Sequence, residues 1–213
     1  MQMQMKLYSY PAAPSARRAR MFLAEKGVQV PIENVDLRQG EHLAPKYLAT
    51  NPQGLVPTLQ LEDGTTITEN IAIAVYLEAL FPSPPLLGSN PLQCARVMQW
   101  NARIELEGLV PLADYLRNSH PAFGHRALPG VVPYEQIAPL AERGRDRVER
   151  FAKILEVRLA EQPYLAGDDF SLADITGVAF VDMLSMAKLS AVAAPILQGS
   201  WYHQMRNRAS YAA

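Results

Sequence analysis

Apolar positions change period several times early in the chain and then settle to a single period. Met5 to Ser9 reads as a strand. Ser15 to Lys26 carries Ala16, Ala19 and Leu23 on one helical stripe and stops at Gly27. Val30 to Val35 alternates as a second strand, and Glu41 to Ala49 is a short helix followed by the turn Asn51-Pro52-Gln53-Gly54. Pro57 to Leu61 and Thr65 to Thr68, joined through Asp63-Gly64, make a hairpin. Asn70 to Leu80 is helical, with Ile71, Ala74, Val75 and Leu77 inward. The order β-α-β-α-β-β-α predicts a small mixed sheet with helices on its faces.

Pro82, Pro84, Pro85, Gly88 and Pro91 then mark a linker over 82–91, and beyond it strand patterns vanish. Leu92 to Asn118 is one long helical pattern. Tyr134 to Gln162 is another, with Ile137, Leu140, Gly144, Val148, Phe151, Leu155 and Leu159 recurring at three or four residues. The mixed charges from Glu142 to Arg150 fill its other face and read as a solvated surface. Ser171 and Asp174 form a capping box, with Phe170 and Ile175 at the staple positions. Ile175 to Leu189 is apolar nearly all round, as a buried helix must be, so Asp182 within it needs a partner. The organisation read from the sequence is therefore 1–81, a linker at 82–91, and an all-helical 92–213.

Composition narrows the classes. A chain of 213 residues that is 49% hydrophobic can build a core, and a net charge of -1 lacks the basic footprint of a nucleic-acid binder. The single cysteine, Cys94, reads as a packed small hydrophobe. It excludes an intrachain disulfide and a four-cysteine zinc site, and it suits a reducing cytoplasm. No run of about eighteen apolar residues is present, so no membrane span is expected. MQMQMKLYSY has no long apolar segment after a basic start, so no secretory leader is expected either. No metal site is expected.

Several short segments carry candidate chemistry, each beside a plain structural reading. SYPAAPSARR leads from a strand into a helix whose unpaired N–H groups and positive dipole end favour an anion; no cysteine stands there and hydroxyls are few. In Leu55-Val56-Pro57-Thr58 the proline marks a strand start or, as a cis bond, turns the Val56 backbone toward an extended peptide ligand. Asn70 is a helix cap, or joins the helix-start amides in holding a carboxylate while Glu69 meets an ammonium. His42, in Gly40-Glu41-His42, is an exposed surface histidine or a partner for a second carboxylate. Ser119 and His120, before Pro121, are a polar helix end or hold a water that takes up a proton. Tyr10, Tyr115 and Phe123 are core or cleft lining.

Taken together, KLYSYPAAPSARRARMFLAEKG, NPQGLVPTL, LEDGTTITENIAI and PYLAGDDFSLADIT resemble the glutathione transferases over essentially the whole chain. The resemblance implies an α/β thioredoxin-like N-terminal domain (βαβαββα) followed by an all-α helical-bundle domain. It implies glutathione as co-substrate, no metal, and transfer to small electrophilic hydrophobic substrates lying against Tyr10, Tyr115 and Phe123. Val56 resembles the residue whose backbone pairs with the cysteinyl part of glutathione, Pro57 the family's cis proline, and Glu69 the acid that meets the γ-glutamyl group. Asn70 stands where many members have Ser. His42, with Gln53 as neighbour, resembles the ligand of the glycine carboxylate, and Leu55 replaces the usual Gln or Lys.

The activating position departs from the family. Ser9 stands at the Tyr position, Ala13 at the Ser position and Ser15 where some members have Cys. Ala13-Pro14-Ser15 also argues against maleylacetoacetate isomerisation, and the lack of a thiol argues against disulfide exchange. A branch of atypical fungal and bacterial transferases also lacks Tyr, Ser and Cys there, and its GEH…VP…DDGT pattern is close to this chain. In that branch the thiolate is thought to be stabilised by the first helix and a water held by Ser and His. Ser119 and His120 are the candidates here, with Ser15 adding one hydrogen bond. The resemblance also implies a cytoplasmic homodimer, built by the helices after Asn70 and after Leu92, that serves in detoxification. A catalytically weak glutathione-binding or regulatory protein is the alternative, and a glutathione-dependent isomerase or reductive dehalogenase a third reading.

Overall fold

The computed structural model describes residues 5–213; the first four residues of the MQMQMKLYSY stretch, where the reading about a leader begins, lie outside the described residues. The chain forms two compact units. One runs to Pro84 and includes Pro129–Val132 and Ala212–Ala213; the other comprises Pro85–Leu128 and Pro133–Tyr211.

The first unit holds strands β1 (Met5–Ser9), β2 (Ile32–Asn34), β3 (Thr58–Leu61) and β4 (Thr66–Thr68) in the order β2-β1-β3-β4. β1 and β2 are parallel; β1–β3 and β3–β4 are antiparallel. Leu7 and Leu59 face each other across β1 and β3 and are fully buried, as is Leu77. Helices α1 (Pro14–Glu25) and α3 (Asn70–Leu80) pack against each other. The buried Lys26 ties them at one end, with its Nζ 2.6 Å from Glu78 and 2.5 Å from the Pro84 carbonyl oxygen. Three expectations shift. β2 is shorter than Val30–Val35, because it pairs only with Leu7, Tyr8 and Ser9. The helix expected over Glu41–Ala49 divides into a 3-10 turn, Glu41–Leu43, and α2 (Pro45–Leu48), because Ala44 is extended, as a residue before proline prefers to be. On α3 the buried face is Ile73, Ala74 and Leu77, and Val75, expected inward, is 51% exposed.

In the second unit the helix expected over Leu92–Asn118 runs from α4 (Pro91–Arg103) through a π-helical segment, Ile104–Leu109, into α5 (Val110–Ser119). Pro111 has no N–H for the helical ladder, a physical reason for the register to change here. Then come α6 (Ala138–Glu161), α7 (Leu172–Met186), α8 (Ser190–Leu197) and α9 (Ser200–Arg206). The inward stripe of α6 is real: a Cβ at Gly144 would lie 2.5 Å from the Pro111 carbonyl oxygen, and Phe151 meets Phe180 of α7 edge-on. Ile137, expected on that stripe, precedes the helix and is exposed. The solvated charges pair along α6 as Arg145–Glu149 and Asp146–Arg150. Cys94 is half-buried, its thiol directed at the Gly88 carbonyl, so it is less enclosed than its reading as a packed hydrophobe implied. Asp182 finds its partners in the hydroxyls of Tyr202 (2.6 Å) and Tyr211 (3.3 Å). Among the described residues no helix is long and apolar enough to cross a membrane.

The capping box at the start of α7 has a second task. Asp174 is fully buried and accepts from Ser171 N–H (3.0 Å) and Oγ–H (3.1 Å), Leu165 N–H (2.9 Å) and Trp201 Nε1–H (2.8 Å). One carboxyl thus joins the α7 cap, the segment before it and α9. Burial pushes this carboxyl up to about 6, against the pull of its four donors. Asp174→Ala strands those donors and is expected to lower the unfolding free energy by about 3 kcal/mol, read by urea denaturation. A carboxyl that holds its proton more tightly when folded loses stability as that proton leaves. The stability of the natural protein relative to Asp174→Asn therefore falls as pH rises from about 4 to about 6, which thermal unfolding at stepped pH checks.

Candidate functional site

The segment before β3 is held by its carbonyl. The Leu55 carbonyl oxygen accepts from the Tyr47 hydroxyl, from Asn51 Nδ2 (2.9 Å) and, at 3.4 Å, from the Thr58 hydroxyl. Asn51 Nδ2 and the Tyr47 hydroxyl also reach Thr58 Oγ1, each at 3.1 Å, and Asn51 Oδ1 accepts from Gln53 N–H. Burial raises the Tyr47 pKa, which keeps it a neutral donor. Just past this anchor the Val56–Pro57 bond is cis. The Val56 N–H and C=O make no hydrogen bond to any described residue. A short extended backbone could pair with them as with a strand edge.

Val56 packs in one cluster with Tyr8, Ala16, Val35 and Tyr47, against which Tyr10, Ala13 and Leu37 also lie. The start of α1 is therefore beside Val56. Ala13 is its N-cap and offers no side-chain bond, and the first turn carries no acidic residue. Pro14 has no N–H, and those of Ser15 and Ala16 meet no partner among the described residues. Two open helix-start amides in this cluster make a place for an anion. Ser15 is exposed, and its Oγ accepts from Asn70 Nδ2 at 2.8 Å, which leaves its own O–H available to donate.

That bond joins the start of α3 to the start of α1 and corrects the expectation for Asn70. The N-cap of α3 is Glu69, and Asn70 is the first helical residue, buried, with Oδ1 unpartnered. An open acceptor beside a carboxylate suits an ammonium, while the α3 amides remain for a carboxylate. Glu69 is exposed with φ 67, a backbone conformation costing about 1–3 kcal/mol for a residue with a side chain. His42 is buried in its 3-10 turn, contrary to its reading as an exposed histidine. A Cβ at Gly54 would lie 3.0 Å from the His42 carbonyl oxygen, so the turn carrying the exposed Gln53 sits against the His42 turn. The first unit thus gathers Tyr10, Ser15, Val56, Pro57, Glu69 and Asn70, with His42 and Gln53 beside one another.

Tyr115, Ser119, His120 and Phe123 belong to the second unit, along the last turns of α5 and in the 3-10 turn Pro121–Phe123 that follows it. Ser119 Oγ donates to the Tyr115 carbonyl (2.6 Å), and His120 Nδ1 accepts from the Ala122 N–H (3.2 Å). That bond puts the proton of the neutral ring on Nε2. The His120 and Phe123 rings meet edge-on at 6.0 Å, and Arg117 lies over Phe123 at 4.5 Å. Ser119 and His120 are both exposed.

Sequence reasoning missed Tyr47, Asn51 and Arg20. Asn51 was legible only as a turn residue, and nothing in the sequence joins Tyr47 to Leu55 or Arg20 to the turn after β1. Those bonds exist only once the elements are folded together.

Residues 12–80 match the glutathione S-transferase N-terminal domain, and residues 110–209 match the glutathione S-transferase C-terminal domain. The chain is similar to Glutathione S-transferase 2 of Saccharomyces cerevisiae, at 37% identity over 215 residues, which is 99% of this chain and 89% of that protein. It is also similar to Maleylacetoacetate isomerase of Pseudomonas aeruginosa, at 47% identity over 94 residues, covering 43% of this chain and 44% of that one. Among solved structures, Gtt2 from Saccharomyces cerevisiae superposes with a TM-score of 0.85 at 36% identity, over 97% of this chain and 98% of that one.

Two substitutions test the architecture. Asn51→Ala removes a donor from the Leu55 carbonyl and from Thr58, and is expected to cost about 1–3 kcal/mol in urea unfolding. Glu69→Gly relieves the positive φ and is expected to add about 1 kcal/mol in the same measurement.

Proposed function

The chain belongs to the glutathione S-transferase family and is a glutathione transferase; from that premise we propose that it activates glutathione at the start of α1 and conjugates it to small electrophilic hydrophobic substrates. The open amides of Ser15 and Ala16, with Ala16 packed in one cluster with Val56 and its unpaired backbone, are the observation that carries this reading. Val56 pairs with the cysteinyl backbone, which brings the sulfur to the helix start. Amides and dipole there lower a thiol pKa, as they do for cysteines at helix N-termini. The Ser15 hydroxyl adds a donor in place of the one Ala13 lacks. Glu69 and the Asn70 Oδ1 take the γ-glutamyl ammonium, and the α3 amides its carboxylate. His42 and Gln53 take the glycine carboxylate.

In the second unit Ser119 and His120, both exposed, are the candidates to hold a water through which the thiol proton passes on to solvent. With its proton on Nε2, His120 donates to that water, and Ser119 Oγ, its own proton on the Tyr115 carbonyl, accepts from it. For the electrophile, Tyr10 is the candidate of the first unit, and Tyr115 and Phe123 are the candidates of the second. The thiolate then attacks an electrophile held in position, and the protein's contribution is placement and electrostatics. We further propose a homodimer built on α3 and α4, where Val75 and Leu92 are exposed, working in the cytoplasm in detoxification. The likeness to an isomerase over 94 residues favours glutathione-dependent isomerisation as a second reading. Ala13-Pro14-Ser15, which lacks the isomerase branch's Cys, speaks against it.

Glutathione titrated into the protein, with heat and thiolate absorbance followed across pH, is expected to bind with a thiol pKa well below that of the free tripeptide. Ser119→Ala and His120→Ala are each expected to lower kcat about a hundredfold with little change in Kd. Glu69→Gln is expected to weaken binding about tenfold. Binding with an unshifted thiol would favour the catalytically weak alternative, and no binding would overturn the site.

A further inference from the structure

The turn between β1 and α1 has Ala13, without a hydroxyl, at the N-cap of α1, and it is held from behind by an arginine. Arg20 Nη1 donates to Ser9 Oγ at 2.6 Å and to the Tyr10 carbonyl at 3.3 Å, and Nη2 donates to the Pro11 carbonyl at 3.1 Å. The Tyr10 oxygen also accepts from Ala13 N–H at 3.0 Å, closing the turn that delivers the chain to Pro14. Ser9 is buried, and its hydroxyl is engaged with Arg20. One guanidinium thus grips the end of β1 and two consecutive carbonyls from the second turn of the same helix.

We propose that Arg20 is a positioning residue for the thiolate: it fixes the turn so that its carbonyl oxygens are occupied on the arginine side, and it adds a fixed positive charge behind the open amides of Ser15 and Ala16. The inference rests on the reading that the sulfur lies at the start of α1. A carbonyl oxygen beside a thiolate is repulsive, and two of the turn's carbonyls are drawn onto the guanidinium. A guanidinium stays charged at any working pH, and its planar fork suits a site where several acceptors must be held at once. The other ionisable groups nearby are Tyr8 and Tyr10, Arg17 and Arg18 on α1, Tyr47 on α2, and Glu69 before α3. Glu33, paired with Tyr8 in register, is engaged by Lys6 at 2.8 Å. Arg20 acts through the backbone, so its role separates into a clamp and a charge.

Arg20→Met removes both, Arg20→Lys keeps the charge without the fork, and Ser9→Ala removes one bond only. Two readouts are needed: the pKa of bound glutathione from thiolate absorbance, and amide exchange of Ala13 in the ligand-free protein. Arg20→Met is expected to raise the bound thiol pKa by about one unit and to speed Ala13 exchange about tenfold. Arg20→Lys is expected to speed exchange similarly while shifting the pKa less. If Arg20→Met fails to fold, Arg20→Lys and Ser9→Ala carry the test through Ala13 exchange, and unchanged exchange in both overturns the clamp. A folded Arg20→Met with unchanged thiol pKa overturns the proposal. Failure of the natural protein to bind glutathione at all overturns the site reading and with it the role at the thiolate, leaving Ala13 exchange to report on the clamp alone.

Discussion

The carbonyl oxygen of Leu55 is the anchor of the segment that leads into β3 in the first unit. Tyr47 and Asn51 grip it, and Thr58 closes the same network from the first residue of β3. A backbone carbonyl held by several donors cannot rotate without breaking them together. The residue that follows is therefore presented with its own N–H and C=O unclaimed. Leaving such groups unpaired at 9% exposure is costly unless something else comes to satisfy them.

The same logic repeats around that point. The amides of Ser15 and Ala16, the Oδ1 of Asn70 and the strained backbone of Glu69 are each unfavourable taken alone. They are gathered in one unit, and their polarities differ: donors at α1, both kinds at Val56, acceptors at Glu69 and Asn70. In the proposed reading, a tripeptide with a thiol, a free amino-acid end and amide groups meets that sequence of polarities. The Asn70–Ser15 bond holds the two helix starts in step, so the parts of the array are coupled.

The second unit concentrates its polar cost in the opposite way. Asp174 is buried and satisfied by four donors, so its expense is offset within the fold and leaves nothing open. At the end of α5 the carbonyls of Arg117 and His120 are taken by Gln136 Nε2, both at 2.8 Å, and Arg117 holds the carbonyls of Arg126 and Ala127. The backbone that carries His120 is thus pinned while its imidazole stays exposed. Satisfied polar groups there serve as scaffold.

What the sequence by itself determined is the part governed by local periodicity and short-range chemistry. β1, α3 and the α7 cap lie where the patterns put them, because alternation, helical stripes and a capping box act within a few residues. The resemblance carried the candidate residues of the first unit, from Ser15 to Asn70. Tertiary structure alone decided the rest. That Glu69 and not Asn70 caps α3, that His42 is buried, that Val75 faces out, and that Tyr47, Asn51 and Arg20 hold the site's backbone all depend on contacts between elements. α8 and α9 gave no clear sequence signal, and there too the structure supplies the reason: Trp201 is buried on the carboxyl of Asp174, a partner 27 residues away. A hydrogen bond across such a separation leaves no period in the chain, since it is fixed by which surfaces the fold brings together.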